Sequence, residues 1–244
     1  MTPTILRMNA TTVYRFLSFI KAKLPEGDAL RGGRILDCGA GGRIPPLAIF
    51  AEQGMDCVGI DISEEQVEAA RVFASESGLP LEFRVGDMRE IPFPDASFDY
   101  VYEHFSMCHL SVMDTLQAVR EMYRVLRPGG LAFFGVISSE SWPISNYGEE
   151  REPGEYWMVE GGREVFHVLF SDAQARDLAN PWEVLLKERA VLHAGGEETT
   201  KDEWAALRLE SGFAGTAEEW MEEFDSRGDR YRYVHAYYYV RKPV

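Results

Sequence analysis

The sequence predicts an α/β fold in which a mostly parallel sheet is covered by helices on both faces. Three observations predict it. Short apolar runs rich in β-branched or aromatic residues recur through the first half of the chain, helical patterns separate several of them, and acids stand repeatedly at the ends of the runs. Strand, helix and strand in alternation mean parallel pairing through crossover helices. Right-handed crossovers then place the strands' carboxyl ends along one edge, where open α/β sheets bind ligands.

In chain order, an amphipathic helix ending near Leu24 carries Val13, Phe16, Leu17 and Ile20 on one face and is expected to act as an N-terminal lid over residues 1–30. The strand-like runs follow at Arg34–Cys38, Cys57–Ile62, Leu81–Val85, Phe98–Tyr102 and Leu131–Ile137. After the second run, Ser63 and Gln66 form a capping box, and Val67, Ala70 and Ala74 then fall on one helical face. Ser111 is placed to cap a helix striped by Leu116, Val119, Tyr123 and Leu126, which Pro128 and Gly129-Gly130 bring to an end. The stretch 138–171 shows no clear period and holds Trp142, Tyr147, Trp157 and His167. So long a stretch without a period is expected to be a functional loop at the acceptor side of a site. A second capping box, Ser171 with Gln174, an apolar run Trp182–His193, two capped helices at Thr200…Glu203 and Thr216…Glu219, and an aromatic strand Tyr231–Arg241 complete residues 172–244. All 244 residues are read as one domain, with residues 31–137 as its ligand-binding core.

Composition excludes several classes. Lys and Arg total 25 against 40 Asp and Glu, a formal net charge of −15, which disfavours nucleic acid and anionic membrane surfaces as partners. Cys38, Cys57 and Cys108 are widely spaced, without a metal-ligand pattern, so no metal site or disulfide framework is expected. No apolar stretch approaches the ~20 residues that cross a bilayer. A cytoplasmic protein with reduced thiols is the expectation. The oligomeric state is not legible in the sequence.

The informative stretch is Ile35-Leu36-Asp37-Cys38-Gly39-Ala40-Gly41-Gly42-Arg43, a buried strand ending in an acid and a tight glycine turn. Gly39 and Gly41 allow close backbone approach to a ligand, although any tight βα connection would also use them. A dinucleotide fingerprint needs a third glycine where Ile44 stands, which counts against a nicotinamide enzyme. Asp37, Asp61, Asp87 and Glu103 follow four successive strands. Carboxylates gathered on one edge repel a pyrophosphate and suit a cationic ligand rich in hydrogen-bond donors.

With these pieces together, the sequence resembles the class I S-adenosylmethionine-dependent methyltransferases, in particular the methyltransferase-11-like, small-molecule type. The resemblance rests on Leu36–Gly41, Gly59–Ser63, Gly86-Asp87-Met88 with Ile91-Pro92-Phe93, Phe98–Val101 and Arg124–Gly130. Arg43 departs from it, standing where many members carry glycine. The resemblance implies a Rossmann-like, seven-stranded, mostly parallel sheet whose last strands form an antiparallel pair, here Trp182–His193 and Tyr231–Arg241. It implies S-adenosyl-L-methionine as cofactor and S-adenosyl-L-homocysteine as product. By the same resemblance, Asp37, Cys38, Gly39, Ala40 and Gly41 would hold the methionine moiety, with the backbone around Glu103. Asp61 would take the ribose hydroxyls, Ile62 would lie against the adenine, and Asp87 with the backbone near Met88 would take the adenine amine.

Methyl transfer by in-line displacement chiefly demands alignment, and a base only if the acceptor must lose a proton. His104 and His109 are the candidate catalytic bases. Trp142, Tyr147 and His167 are candidates for contact with a small-molecule acceptor, core packing of an insertion being the other reading of the aromatics. A non-catalytic sensor or partner subunit that binds the same cofactor is the alternative function.

Overall fold

A computed structural model describes residues 11–24, 30, 32–141, 148–160, 163–193, 201–210, 215–226 and 232–244. Helix α1 (Thr11–Lys23) leads into strand β1 (Arg34–Cys38), followed by α2 (Ala48–Ala51), β2 (Asp56–Asp61), α3 (Glu64–Ser77), β3 (Leu81–Val85) and β4 (Phe98–Glu103). A 3₁₀ turn (Met107–His109), α4 (Val112–Val125) and β5 (Leu126–Ile137) complete the first half. Beyond it lie β6 (Glu149–Glu152), β7 (Glu155–Glu160), β8 (Arg163–Val168), α5 (Asp172–Leu178) and β9 (Glu183–His193). Two helices, α6 (Lys201–Glu210) and α7 (Ala217–Ser226), precede β10 (Arg232–Arg241).

The main sheet has seven strands in the order β3-β2-β1-β4-β5-β10-β9. Strands β1 to β5 are parallel, and β10 runs antiparallel between β5 and β9. This is the Rossmann-like arrangement with a terminal antiparallel pair. Alternation along each strand builds two cores. Leu36, Val58, Phe134 and Tyr238 face α4 and α5, whereas Ile35, Phe133, Tyr237 and Tyr239 face α1, α2 and α3. Among the described residues no helix is long and apolar enough to cross a membrane.

Several local expectations change. Helix α1, expected as a lid, is a wall: Val13, Phe16 and Ile20 are fully buried. The Phe16 ring lies 5.6 Å from Phe133 and 6.2 Å from Phe50, because a stripe this apolar is more stable against the sheet than over an open cleft. Helix α4 stops at Val125, earlier than the glycines suggest. Its end is set from the far end of the chain, where the Lys242 ammonium donates to the carbonyls of Tyr123, at 2.8 Å, and Leu126, at 2.7 Å. The stretch expected as a loop forms, over residues 149–168, a three-stranded antiparallel sheet in the order β6-β7-β8. Its alternation is illegible because all four residues of β6 are exposed, and a strand without a buried face carries no period-2 signal. The cap of α3 is shared differently. Ser63 Oγ accepts from the Gln66 amide, but the Ser63 amide donates to Asp61 Oδ1 at 2.9 Å. The Ser171 box closes reciprocally, as does Thr216 with Glu219. Thr200 lies outside the described residues.

Replacing Phe16 with Ala removes a ring packed against Phe50, Tyr102, Phe133 and Tyr239. The expected loss is about 3–5 kcal/mol of unfolding free energy, read by denaturant titration. A loss below about 1 kcal/mol would mean that α1 does not belong to the core.

Candidate active site

The parallel strands bring Asp37, Asp61 and Glu103 to the carboxyl edge of the sheet. The glycine turn after β1 is held closed by Ile60, whose carbonyl accepts from the amides of Gly39 and Ala40, each at 2.8 Å. Gly39 has φ +95°, and a Cβ there would collide with the Ser106 side chain. A Cβ on Gly41 would collide with Asp61 and Gln66. These two positions need glycine for reasons on the page, and together they leave a bare backbone cradle at the edge.

The four acids behave differently from one another. Asp61 Oδ2 accepts from the Gly41 amide at 2.9 Å, so this carboxylate ties the β2 end to the cradle while staying half-buried. Asp37 is buried and accepts the Tyr102 hydroxyl at 2.5 Å. Burial pushes its pKa up to about 8, against the lowering effect of that hydrogen bond and with help from Glu103 and Asp61. Glu103 is fully buried and accepts from the amides of Ser106 and, at 2.8 Å, Met107, pinning the turn after β4. Burial raises its pKa to about 7 despite those donors. Asp87 is held by Arg89, whose Nη2 lies 2.6 Å from Oδ2 and whose Nη1 reaches Asp114 at 3.2 Å. Arg89 keeps the Asp87 carboxyl below its usual range. The expectation of four open carboxylates is therefore corrected. Burial, which penalises charge, raises the pKa of two of them, Asp37 and Glu103, and a third, Asp87, is paired with Arg89. Asp61 accepts from the amides of Gly41 and Ser63.

The other cofactor-site candidates divide cleanly. Cys38 is buried with its thiol in the core between sheet and helices, so only its backbone reaches the edge. Ala40 is buried, and Met88 packs against the same core as Cys38. Ile62, a large apolar side chain immediately after β2, is 67% exposed.

The histidines fall into two groups. His109 is exposed and its Nδ1 donates to the Phe166 carbonyl at 2.8 Å, while its ring lies 5.1 Å from His167. These two candidates meet where the 3₁₀ turn docks on β8. His104 follows β4 directly and is half-buried, its pKa lowered to about 4 by desolvation and by His235. His235, absent from the sequence-based candidates, is buried on β10, and its Nδ1 lies 2.9 Å from the Tyr237 hydroxyl. Its signal, a single histidine within an aromatic strand, has no meaning until the antiparallel pairing sets it opposite Ile137 at the end of β5. Trp142 and Tyr147 lie outside the described residues. Among the described residues no cluster of three or more His, Cys, Asp or Glu could hold a metal. A cavity of ≈ 420 Å³ lined by Lys23, Asp99, Arg127 and Arg241 opens at the opposite edge, by the amino end of β4.

Comparison with known proteins places this edge in context. Residues 36–134 match the family described as "Methyltransferase domain". The chain is 32% identical over 134 residues to a sterol 24-C-methyltransferase of Pneumocystis carinii, covering 53% of this chain and 33% of that one. It is 38% identical over 106 residues to 27-O-demethylrifamycin SV methyltransferase of Amycolatopsis mediterranei, covering 43% of this chain and 38% of that one. It thus spans about a third of the length of these curated relatives. The crystal structure of an S-adenosylmethionine-dependent methyltransferase of Methanosarcina mazei shares the fold, with a TM-score of 0.64, 18% identity and coverage of 93% of this chain and 97% of that one.

The acid at the end of β1 has a measurable cost. Its folded pKa of about 8 lies above the unfolded value of ~3.9, so the folded state retains a proton that the unfolded state loses as pH rises. Stability falls between roughly pH 4 and pH 8. Asp37→Asn removes that dependence and still accepts the Tyr102 hydroxyl. The variant is expected to match the parent in thermal midpoint near pH 4 and to exceed it increasingly up to pH 8. Parallel midpoints across that range would show Asp37 to be ionised in the fold.

Proposed function

We propose that this chain, whose residues 36–134 match the family described as a methyltransferase domain, is an active class I S-adenosylmethionine-dependent methyltransferase moving a methyl group to a small-molecule acceptor by in-line displacement. The observation that carries this reading is the carboxyl edge itself, where a glycine cradle, the half-buried Asp61 carboxylate and the exposed Ile62 side chain lie in succession. When bound, S-adenosyl-L-methionine supplies an electrophilic methyl carbon on a sulfonium, and S-adenosyl-L-homocysteine is the product.

The residues fit that group. Gly39 and Gly41 admit its methionine end to the backbone, and Asp37 and Glu103 below them gain charge when a cation approaches. Asp61 keeps acceptor capacity for ribose hydroxyls beyond the two amides it already takes. Ile62 offers an apolar face to the adenine. Asp87 reaches the adenine amine by sharing its oxygens with Arg89, and the backbone near Met88 assists. His104, beside Glu103 at the end of β4, is the proton acceptor for an acceptor molecule that must lose one. His109, tied to the Phe166 carbonyl, positions the small sheet instead.

A small-molecule acceptor is supported by the relatives named for sterol and rifamycin substrates. The net charge of −15 counts against nucleic acid. A non-catalytic sensor would bind the same ligand without turnover.

Calorimetric titration tests the reading. S-adenosylmethionine is expected to bind at pH 7 with proton release, because a cation lowers the pKa values of about 8 and about 7 at Asp37 and Glu103. The apparent enthalpy should then vary with the ionisation enthalpy of the buffer. Asp61→Ala should weaken binding by about tenfold or more, as loss of a charge-assisted hydrogen bond predicts. Absence of binding heat in every buffer overturns the proposal.

A further inference from the structure

We propose that His235, with His104, forms a two-imidazole wall at the carboxyl edge that selects a small acceptor through an ionisable hydroxyl group and carries out O-methylation. This inference rests on the methyltransferase reading and names its substrate class.

The geometry comes from three strands. Phe105 follows His104 in the left-handed region, φ +62°, a conformation that costs a bulky residue of order 1–3 kcal/mol and persists only where surroundings enforce it. The enforcement is visible: Glu103 takes the next two amides, and the Cys108 thiol donates to the Phe105 carbonyl at 3.1 Å. The result sets the Phe105 ring between both imidazoles, 4.3 Å from His104 and 5.0 Å from His235, while leaving it 40% exposed. Gly135 on β5 lacks the side chain that would collide with the Tyr237 ring, so β10 can bring Tyr237 and His235 over the end of β5. Tyr237 lies on the sheet face that α1 covers.

The hydrogen-bond chemistry selects the acceptor. In the arrangement proposed, the Tyr237 hydroxyl, 2.9 Å from Nδ1 of His235 and kept protonated because burial raises its pKa, donates to that nitrogen. A neutral imidazole that accepts at Nδ1 carries its proton at Nε2. His235 is thereby a fixed donor, and burial of both imidazoles holds them neutral, with pKa values of about 4. One donor and one proton acceptor, each beside the Phe105 ring, suit a hydroxyl oxygen, which has a proton to give and two lone pairs. A neutral amine has one lone pair, which the donor would block. As the oxygen–methyl bond forms and the carbon–sulfur bond breaks with its electron pair passing to sulfur, the hydroxyl proton goes to the free imidazole nitrogen of His104. The positive charge lost at sulfur reappears on that imidazole, so the site's net charge is unchanged. The exposed Phe105 ring offers an aromatic or flat apolar acceptor a surface to lie on.

The test uses the full chain and three probes of one shape, 1-naphthol, 1-naphthylamine and 1-naphthalenethiol, with release of S-adenosylhomocysteine as readout. Transfer to the naphthol alone, or at least tenfold faster than to the other two, is expected. His235→Leu should lower kcat on the naphthol by about 100-fold, within the range for proton-transfer and donor groups. His235→Gln, which restores a donor near Nε2, should recover most of it. The equilibrium readout is 4-nitrophenol bound in the presence of S-adenosylhomocysteine. Its visible phenolate absorbance should show ionisation at lower pH in the parent than in His235→Leu. Calorimetry of each variant with S-adenosylmethionine separates the two levels: loss of donor binding in the parent overturns the methyltransferase reading itself. With donor binding intact, three results each overturn the hydroxyl assignment: preference for the amine or thiol, no transfer to the naphthol, or an unchanged nitrophenol titration in His235→Leu.

Discussion

A carboxyl group removed from water must be neutralised or hydrogen-bonded, and this constraint at Asp37 organises the rest of the site. Asp37 sits near the end of β1, flanked in the sheet by β2 and β4. Its hydrogen bond from Tyr102 joins two neighbouring strands at the edge where the glycine turn begins. Tyr102 in turn packs against Phe16 and Phe50, so the hydroxyl cannot leave without moving α1 and α2. The same desolvation that makes the group costly in the empty fold makes it responsive to an incoming cation. Stability and ligand affinity are thus opposed at one side chain.

The motifs that identify the domain are also structural joints. Arg124 donates to the carbonyls of Ile91 and Phe93, each at 2.8 Å, and pairs with Glu121 and Asp95. Glu121 accepts from the Ile91 amide at 2.9 Å. One guanidinium therefore fastens the Ile91-Pro92-Phe93 turn to α4. Asp99 at the opposite edge pairs with Arg127 and accepts the Arg34 amide at 2.8 Å, locking the amino ends of β1 and β4 to the start of β5. These contacts hold the strands in register, so that the acids arrive together at the other edge.

The second half of the chain adds the small sheet and the antiparallel pair β9 and β10. The small sheet is joined to the end of β5 through the Phe170 amide, which donates to the Ile137 carbonyl at 2.8 Å, and through the His109 contact with Phe166. Strand β10 carries alternating tyrosines into both cores, and its first turns of sequence deliver His235 to the same edge as His104. The two halves of the chain therefore meet at the ends of β4 and β5.

Much of the parallel sheet, the glycine cradle and the strand-end acids were legible in the sequence, because buried strands and capping boxes leave local, periodic signals at Leu36, Val58 and Ser171. The charge state of those acids was not legible, since the raised pKa of Asp37 comes from burial by distant parts of the chain, against the hydrogen bond from Tyr102, and Asp87 owes its pairing to the rotamer of Arg89. Nor was the small sheet, whose outer strand has no buried face to impose alternation. His235 became a candidate only through antiparallel register, which no local pattern encodes. Sequence alone determined which segments of the parallel sheet would be strands and where its glycine turn would fall, because those depend on neighbours along the chain. Tertiary structure alone decided protonation, the wall role of α1 and the pairing of two imidazoles, because burial and electrostatics depend on neighbours in space.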